Sequence, residues 1–431
     1  MRGRLNVAPA AAAQQGLFDR RLNGSADAPV AVALSGGGDS VALLHLAKAW
    51  ADGAGRRLVA LTLDHGLQPA SAAWTRFAAE RAARLGVAHR TLAWAGVKPA
   101  HGLPAAARTA RHALLAEAAL AAGARVLLMG HTADDLIEAE AMRRMGAAVS
   151  SPRAWAPSPA WPEGRGLFLL RPLLGCRRAE LRRLLCGLGE TWIEDPANDD
   201  LRYARARARR LSMDHLAAPP PAPDLSPWTG LSSVEGGPGG DLVAARAALV
   251  AAEAGLRALG ALALCAAGGA RPPAAAALHR LQARLAASDD FVATLAGARI
   301  EARGERVLFC REAGEHRRRG LEAAPLPVGE SVFDGRFLVT GTAPGWRIAP
   351  LRGLVRRLSG PARARLARLP AAVRGALPAA ISPGQDVVCP VLEEAAPVAA
   401  FSLNRQRLRA TLGAFPDEAS LWRVANLPTA P

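Results

Sequence analysis

The sequence predicts an α/β fold, in which a parallel-sheet domain is followed by a helical region and a small α+β or mostly β C-terminal domain. Three observations support this prediction. Short, continuously apolar segments alternate with helix-like segments over the first half of the chain. Apolar runs without polar alternation are typical of parallel strands that are buried on both faces. A glycine cluster, 36–38, comes directly after the first apolar run, where a strand would turn into a helix.

The predicted elements of the first half follow one another in βα order. Four apolar runs are the predicted strands: 29–34, 58–63, 88–92 and 124–129. Helical spacing of apolar residues predicts helices over 41–50, 70–85, 104–122 and 133–145. The Pro-, Trp- and Gly-rich segment 150–166 is predicted to be a long loop, and a short strand at 167–170 follows it. This order favours a sheet that is covered by helices on both faces.

Composition divides the chain into four parts. Residues 1–215 form the predicted α/β domain, and the Pro-, Gly- and Ser-rich stretch 216–240 is the predicted linker. The Ala-, Leu- and Arg-rich segment 241–290 is predicted to be helical. Short strand-like pieces separated by Pro and Gly predict a small C-terminal domain over 291–431.

The charge of the chain indicates a polyanionic partner. A formal net charge of +17 and a pI near 11.3 favour nucleic acid over a membrane, and a generally basic surface is the plainer alternative. The five cysteines form no C-x-x-C pair, which argues against a disulfide framework or zinc ribbon and favours the cytoplasm. We identify no export signal, and the longest uncharged apolar stretch, 258–270, is shorter than the roughly 20 residues that a membrane span requires.

A candidate phosphate-binding loop follows the first predicted strand and consists of Ser35, Gly36, Gly37, Gly38, Asp39 and Ser40. Glycines let the backbone turn tightly and direct several N–H groups to one point, and the next helix adds the positive end of its dipole. In an open parallel sheet, this loop lies beyond the carboxyl ends of the strands, where ligands bind. An Asp-Ser helix cap after a glycine turn is the plainer interpretation.

The loop resembles the SGGxDS pyrophosphate loop of the PP-loop ATP pyrophosphatase superfamily, and five further segments resemble its lysidine synthetase branch. They are Asp64-His65-Gly66, Arg108-Thr109-Ala110-Arg111-His112, His131-Thr132-Ala133-Asp134-Asp135, Arg171-Pro172-Leu173-Leu174 and Glu194-Asp195-Pro196-Ala197-Asn198. Tyr203 and Arg205 follow where the branch has an aromatic residue and an arginine. The chain departs from the branch pattern at Gln68, His112, Leu136, Ala139, Ala197 and Ala206. The resemblance covers about residues 28–210.

The resemblance implies a role for each matched residue. The six loop residues are expected to bind ATP together with Asp64 and His65. The expected catalytic residues are Asp39, Asp135, Arg108, Arg111 and His131. The expected RNA contacts are Asn198, Tyr203, Arg205, Arg207 and Arg209, although packing in the core is the plainer role for Tyr203.

Three carboxylates, those of Asp134, Asp135 and Glu138, are expected to bind the ammonium group of free L-lysine. Asp135 and Glu138 share a face of the predicted helix, as do Asp134 and Glu138. Paired carboxylates near ATP could equally hold Mg²⁺. The plainer interpretation is an acidic first turn that complements the helix dipole.

The resemblance also implies a reaction. With Mg²⁺, ATP is expected to adenylate the C2 oxygen of the wobble cytidine of tRNA(Ile) with a CAU anticodon, releasing pyrophosphate. The ε-amine of lysine then displaces AMP and forms a C–N bond, which changes codon reading from AUG to AUA. A carboxylate or His131 accepts the proton of the amine. The C-terminal domain is expected to hold the tRNA body, no membrane is involved, and a homodimer stays open.

Three other functions stay open. A related tRNA thiolase would use paired cysteines or an iron–sulfur cluster, and no cysteine lies between the glycine loop and Cys176. A small-molecule ligase of the superfamily agrees less well with the Arg-dense segment 205–210. A non-catalytic RNA-binding protein would account for the departures from the branch pattern but not for the intact SGGGDS loop.

Overall fold

The computed structural model describes residues 9–147, 149, 151–196, 204–213, 228–287, 289–318, 320–394 and 397–421. Contacts between residues divide the chain into two compact units. The first is Met1–Leu225 together with Phe415–Pro431, and the second is Ser226–Ala414. Each unit has its own sheets and its own apolar core. Within the described residues, we find no helix with the length and apolar character that a membrane crossing requires.

The first unit is a six-stranded sheet with flanking helices. Its strands are β1 Val30–Ala33, β2 Leu58–Asp64, β3 Ala88–Ala93, β4 Val126–Leu128, β5 Trp155–Pro157 and β6 Phe168–Leu170. Its helices are α1 Pro9–Arg21, α2 Gly38–Ala54, α3 Ser71–Arg84, α4 Leu103–Ala121, α5 Ala133–Arg144, α6 Arg178–Gly187 and α7 Ala204–Met213. All neighbouring strands are parallel except β5, which pairs antiparallel with β6. The predicted parallel α/β domain is thus confirmed.

The strand order β3-β2-β1-β4-β6-β5 reverses at β1. The chain runs from β1 to β2 and β3 on one side, and then returns to β4 on the other side. In open α/β sheets, such a reversal leaves a crevice beyond the carboxyl ends of the two central strands. The glycine loop follows β1 and the segment of His131 follows β4. The topology therefore brings both segments to one crevice.

The segment 150–166, predicted to be a loop, contains the edge strand β5. Trp155 is buried, and its ring stacks on Phe168 with 5.0 Å between the ring centroids. Its Nε1 donates a hydrogen bond to the carbonyl oxygen of Phe415 at 2.7 Å. The packing of one aromatic side chain therefore orders a segment whose proline and glycine content predicts irregular structure.

The end of the chain belongs to the first unit, which differs from the predicted domain 291–431. Arg56 Nη2 lies 3.0 Å from Glu418 Oε1, and the two side chains are 1% and 5% exposed. An ion pair between residues so far apart in sequence leaves no trace in local composition. The second unit therefore ends at Ala414, and the residues after it return to the α/β domain.

The second unit contains antiparallel sheets and short helices. Its strands are β7 Glu235–Gly236, β8 Leu242–Ala245, β9 Phe291–Leu295, β10 Ala298–Arg303, β11 Arg306–Arg311, β12 Ala324–Pro325, β13 Gly329–Phe333, β14 Phe337–Gly341, β15 Arg347–Pro350, β16 Pro378–Ile381, β17 Val387–Val388 and β18 Val398–Ser402. Its α-helices are α8 Arg246–Val250, α9 Ala252–Ala266, α10 Ala275–Ala286, α11 Gly314–Arg318, α12 Gly360–Ala367, α13 Ala371–Arg374 and α14 Asn404–Thr411, and 3₁₀ turns lie at Thr229–Ser233 and Val355–Arg357.

These strands form three sheets, with the orders β7-β8-β11-β10-β9, β12-β15-β16-β17 and β13-β14-β18. Every pairing in them is antiparallel. Antiparallel sheets combined with short helices agree with the predicted α+β character of the C-terminal part.

The structure places two boundaries elsewhere than the sequence predicts. Trp228 and Val234 are buried in the core of the second unit, so the predicted linker 216–240 is folded from Trp228 onward. The rest of that linker lies outside the described residues. The predicted boundary between 290 and 291 crosses the same core, in which Leu262 of α9 and Phe309 of β11 are buried together. Composition marks Pro and Gly, but burial decides which residues belong to one core.

A buried carboxylate organises the turn between β13 and β14. Asp334 has a φ of 49°, and its side chain is 6% exposed. It accepts hydrogen bonds from Arg311 Nη2 at 2.9 Å and Arg336 Nε at 3.0 Å, and its Oδ2 lies 2.7 Å from His316 Nε2. Burial by itself would raise the pKa of Asp334, but the hydrogen bond with His316 and the charges of the two arginines hold that pKa below its ordinary value. One carboxylate thus joins β11, α11 and the hairpin.

Replacing Asp334 by Asn should lower the free energy of unfolding of the second unit by about 3–5 kcal/mol, because two buried guanidinium groups lose their counter-charge. The folded-state pKa lies below the unfolded value of about 3.9, so this stabilisation is present above about pH 4 and is lost as the pH falls through the folded value. Calorimetry at pH 7 and at pH 3 should show a difference between wild type and Asp334→Asn that shrinks at the lower pH.

The matched control is Glu235→Gln, which breaks an exposed ion pair with Arg306 and should leave the unfolding midpoint unchanged. Equal midpoints for the wild type and Asp334→Asn at pH 7 would contradict the role assigned to Asp334.

Candidate active site

The glycine loop turns at the carboxyl end of β1 and continues into α2, which begins at Gly38. Gly36 has a φ of +85°, in the region that favours glycine. Ser40 Oγ donates to the carbonyl oxygen of Gly37 at 2.8 Å and accepts from Ser35 N at 3.2 Å, which closes the loop on itself. The N-cap residue is Gly37, which has no side chain to cover the first N–H groups of the helix. Those N–H groups can therefore face an anion.

The end of β4 approaches the same loop closely. A Cβ built on Gly130 would lie 3.2 Å from the carbonyl oxygen of Asp39. Any larger residue at this position would push the two segments apart. The absence of a side chain thus lets His131 and the start of α5 lie beside the loop.

Asp64 and His65 end β2 and begin the turn after it, next to β1 in the sheet. Asp64 Oδ1 accepts a hydrogen bond from Gly66 N at 2.8 Å, which forms a tight turn. The ring of His65 packs edge-on to Trp94, with 6.3 Å between centroids. These two predicted ATP contacts therefore lie at the same edge of the sheet as the glycine loop.

The first two turns of α5 carry the three predicted lysine-binding carboxylates. Asp135 Oδ2 accepts hydrogen bonds from Thr132 N at 2.7 Å and Thr132 Oγ1 at 2.9 Å, forming a capping box. Glu138 lies one turn further on, and its side chain is 3% exposed. Asp134 Oδ2 accepts from Arg178 N at 2.8 Å, and its Oδ1 lies 2.9 Å from Arg177 Nη2. The capping box thus fixes Asp135 and leaves its Oδ1 to other partners.

Arg178, at the start of α6, joins the carboxylates of the loop and of α5. Its Nε donates to Asp39 Oδ2 at 3.1 Å, its Nη2 donates to Asp135 Oδ1 at 3.0 Å, and its Nη1 donates to Glu138 Oε1. Sequence reasoning did not select this residue. The available signal was its place at the start of a helix shortly after β6, because the carboxyl end of β6 lies at the same edge of the sheet as the loop.

Two arginines of α7 contact the same carboxylates. Arg205 donates from Nε to Glu138 Oε2 at 2.9 Å and from Nη2 to Asp135, and Arg209 donates from Nε to Glu138 Oε1 at 2.9 Å. Both are predicted RNA contacts, and the structure places both guanidinium groups on the predicted lysine site. Arg207 is exposed. Asn198 and Tyr203, also predicted to contact RNA, lie outside the described residues.

These guanidinium groups influence the charge of the site. Burial would raise the pKa of Glu138, but the hydrogen bond and charge of Arg178 and the charge of Arg205 hold that pKa below its ordinary value. Burial raises the pKa of Asp39, against the opposing charge of Arg178. Asp39 Oδ1 is buried and has no hydrogen-bond partner among the described residues. The Glu138 carboxylate therefore stays ionised at neutral pH, and Asp39 presents an oxygen suited to a cation.

Three arginines, Arg108, Arg111 and Arg171, place positive charge around His131, and we call them the basic group. Arg171 Nε donates to His131 Nδ1 at 3.3 Å, so the proton of the neutral imidazole is assigned to Nε2. Burial, followed by the positive charges of Arg171 and Arg205, lowers the pKa of His131 well below its ordinary value. At neutral pH, His131 is therefore an uncharged hydrogen-bond donor.

Arg108 and Arg111 add further positive charge to this group. Burial and the charge of Arg108 lower the pKa of Arg111 to about 10. No carboxylate of the described residues forms an ion pair with either arginine. His112 is 5% exposed, and neither of its ring nitrogens has a hydrogen-bond partner in the described part of the chain. The basic group is therefore suited to an anion.

The structure thus brings the predicted catalytic residues into two groups. Asp39 and Asp135 meet around Arg178, whereas Arg108 and Arg111 belong to the basic group that surrounds His131. In the described ranges of the chain, no three His, Cys, Asp or Glu side chains are arranged to hold a metal ion.

Comparisons with known proteins agree with this architecture. A family model described as a PP-loop domain matches residues 12–216. A tRNA(Ile)-lysidine synthase from Caulobacter vibrioides is 48% identical over 410 residues, which cover 93% of this chain and 97% of that protein. A protein of the same name from Hyphomonas neptunium is 39% identical, over 74% of this chain and 87% of its own. A third, from Mesorhizobium japonicum, is 37% identical, over 72% of this chain and 71% of its own. This chain belongs to the tRNA(Ile)-lysidine synthase family.

Proposed function

We propose that this chain uses ATP to ligate L-lysine to C2 of the wobble cytidine in tRNA(Ile) with a CAU anticodon. The product is lysidine, which pairs with A instead of G, and ATP is converted to AMP and pyrophosphate. One observation supports this proposal above the others: Arg178 holds Asp39 of the glycine loop beside Asp135 and Glu138. A phosphate site and an ammonium site therefore share one crevice, as a reaction between an activated base and an amine requires.

In the first step, the C2 oxygen of the cytidine attacks the α-phosphate of ATP and pyrophosphate leaves. The N–H groups at the start of α2 are placed to bind the phosphates. Arg108 and Arg111, which lack carboxylate partners among the described residues, are suited to the charge that develops on the phosphates. The base carries AMP after this step, and AMP is a better leaving group than a ring oxygen.

Mg²⁺ fits the loop because Asp39 Oδ1 is buried without a hydrogen-bond partner in the described residues. Asp39 would hold the ion together with phosphate oxygens of the nucleotide, since the described side chains alone do not form a metal site. The ion would neutralise charge on the phosphates while the α-phosphate is attacked.

In the second step, one of the nearby carboxylates accepts a proton from the lysine ammonium group, the neutral ε-amine attacks C2, and the bond between C2 and the AMP oxygen breaks. Asp134, Asp135 and Glu138 are the proposed ammonium-binding carboxylates. Arg178, Arg205 and Arg209 already donate to Asp135 or Glu138, so lysine has to share or displace some of these contacts. His131, which donates from Nε2, is suited to orient an oxygen of the substrate rather than to accept this proton.

The second unit is the proposed site for the tRNA body, on the basis of the positive charge of the chain.

A thiolase activity is the second candidate from the superfamily. All five cysteines lie among the described residues, and none is in a disulfide. The assay below distinguishes the ligase from a thiolase, a small-molecule ligase and a non-catalytic RNA-binding protein.

Incubation of the purified protein with ATP, Mg²⁺, radiolabelled lysine and an unmodified tRNA(Ile) transcript with a CAU anticodon should place label in the RNA. Asp39→Ala should reduce the labelling rate by about 100-fold or more, because it removes the carboxylate that would hold Mg²⁺ at the phosphates. Pyrophosphate release without label in the RNA would mean that the acceptor is wrong. Absence of both label and pyrophosphate would favour the RNA-binding protein.

Glu138→Gln should raise the KM for lysine by about 10- to 100-fold, because a charge-assisted hydrogen bond to the ammonium group is lost. Pyrophosphate release in the absence of lysine should stay within about threefold of the wild type, since adenylation precedes lysine attack. The matched control is Glu140→Gln on the same helix, where Glu140 pairs with Arg143 and Arg144 at the surface. An unchanged KM for lysine in Glu138→Gln would remove Glu138 from the lysine site.

Arg178→Ala should reduce both pyrophosphate release and lysine transfer by about 100-fold, because three carboxylates lose their shared cation. Arg178→Lys should not restore the rate, since one ammonium group cannot reach three carboxylates as a planar guanidinium does. Arg183→Ala, at an exposed position on the same helix, serves as the control. Single-turnover rates measure both steps, and full rescue by Arg178→Lys would show that only charge matters.

A further inference from the structure

The segment 190–195, which we call the loop brace, follows α6 and lies along the glycine loop. Ile193 N donates to the carbonyl oxygen of Gly36 at 2.9 Å, and Ile193 pairs with Gly37 as an isolated parallel bridge. A Cβ built on Gly36 would lie 2.5 Å from Ile193 Cδ1, and one on Gly38 would lie 3.4 Å from the ring of Trp192. The brace therefore contacts all three glycines of the loop.

Glu190 anchors the loop brace to α2 and α3. Its side chain is 7% exposed, and its Oε2 accepts a hydrogen bond from Arg81 Nη1 at 2.7 Å. Its Oε1 lies 3.2 Å from Arg84 Nη2 and 3.5 Å from His45 Nε2. Arg81 Nη2 also donates to Thr191 Oγ1 at 3.1 Å. Three cationic or polar side chains from two helices thus fix the first residues of the brace.

The glycine loop needs such support because glycine is the residue least restricted by its own sterics. A phosphate site requires several N–H groups to converge, and a loop with three consecutive glycines loses much conformational entropy when it does so. The main-chain hydrogen bond and the two side chains of the brace restrict the loop before any ligand arrives. A loop ordered in advance binds its ligand with a smaller entropy cost.

We propose that Glu190 is a positioning residue for nucleotide binding, which acts through Ile193 and Trp192 of the loop brace on the glycine loop. The inference rests on the proposed function in that the loop binds the phosphates of ATP. It goes further because it assigns the conformation of the loop to Glu190, which is not one of the carboxylates in the crevice. Glu190 is not one of the residues that the resemblance selects.

The test is the dissociation constant of ATP with Mg²⁺, measured by titration calorimetry on the full chain without RNA or lysine. Glu190→Gln should raise this constant about tenfold, the size expected for loss of a charge-assisted hydrogen bond. The KM for lysine at saturating ATP should stay within about twofold of the wild type. Asp52→Asn, which removes an exposed carboxylate on α2, is the control and should leave the ATP constant unchanged.

Ile193→Ala provides a second variant that leaves the ion pairs of Glu190 in place. It should also raise the dissociation constant of ATP. The double variant should bind ATP about as weakly as the weaker-binding single variant, because both substitutions act through one contact. If Glu190→Gln does not fold, wild-type affinity for ATP in Ile193→Ala would overturn the inference, because Glu190 is proposed to act through Ile193.

Two outcomes would overturn the inference. One is a folded Glu190→Gln with wild-type affinity for ATP, and the other is full additivity of the two substitutions. Wild-type protein that binds no ATP would overturn the proposed function together with the inference. Wild-type protein that binds ATP but transfers no lysine would overturn the proposed reaction alone, and the comparison of variants would still decide the role of Glu190.

Discussion

The ion pairs of one arginine determine how the catalytic unit is arranged at its crevice. Arg178 comes from α6, Asp39 from the loop after β1, and Asp135 and Glu138 from α5, so three elements far apart in sequence meet at one guanidinium group. Three carboxylates close together would repel one another if no cation lay between them. A planar guanidinium with several donors is the side chain best able to bridge them. Arg178 therefore stabilises the close approach of the phosphate loop and the proposed ammonium site.

The two units solve the problem of buried charge in opposite ways. In the first unit, one arginine lies among carboxylates, whereas in the second unit one carboxylate, Asp334, lies among Arg311, Arg336 and His316. Both groups join elements that local sequence would not connect. They differ in exposure, since the Asp334 group is almost wholly buried and the Arg178 group opens to the crevice. The buried group is suited to stability, and the open group leaves its carboxylates accessible to ligands.

The conformation of the glycine loop depends on two neighbouring segments. Gly130 lets the segment after β4 approach Asp39, and Ile193 packs against Gly36. The loop motif therefore specifies the capacity to bind phosphate, while the packing around it selects one conformation. The basic group around His131 adds positive charge to the crevice, and Arg108 and Arg111 form no ion pair with a carboxylate of the described residues. A site with one acidic and one basic group suits a reaction between a polyphosphate and an amine.

The sequence by itself determined the parallel α/β domain, the glycine loop and the carboxylates of α5, because each leaves a local signal. Apolar runs mark buried strands, glycines mark a tight turn, and Asp135 and Glu138 lie one helical turn apart. Only the tertiary structure decided that Arg178 bridges these carboxylates, that Arg205 and Arg209 contact Glu138, and that Glu190 supports the loop. It also decided that Glu418 returns to Arg56 and that Trp228 belongs to the second core. The physical reason is that ion pairs and burial depend on distance in space, and charge or apolar character alone does not say which distant partner a residue will meet.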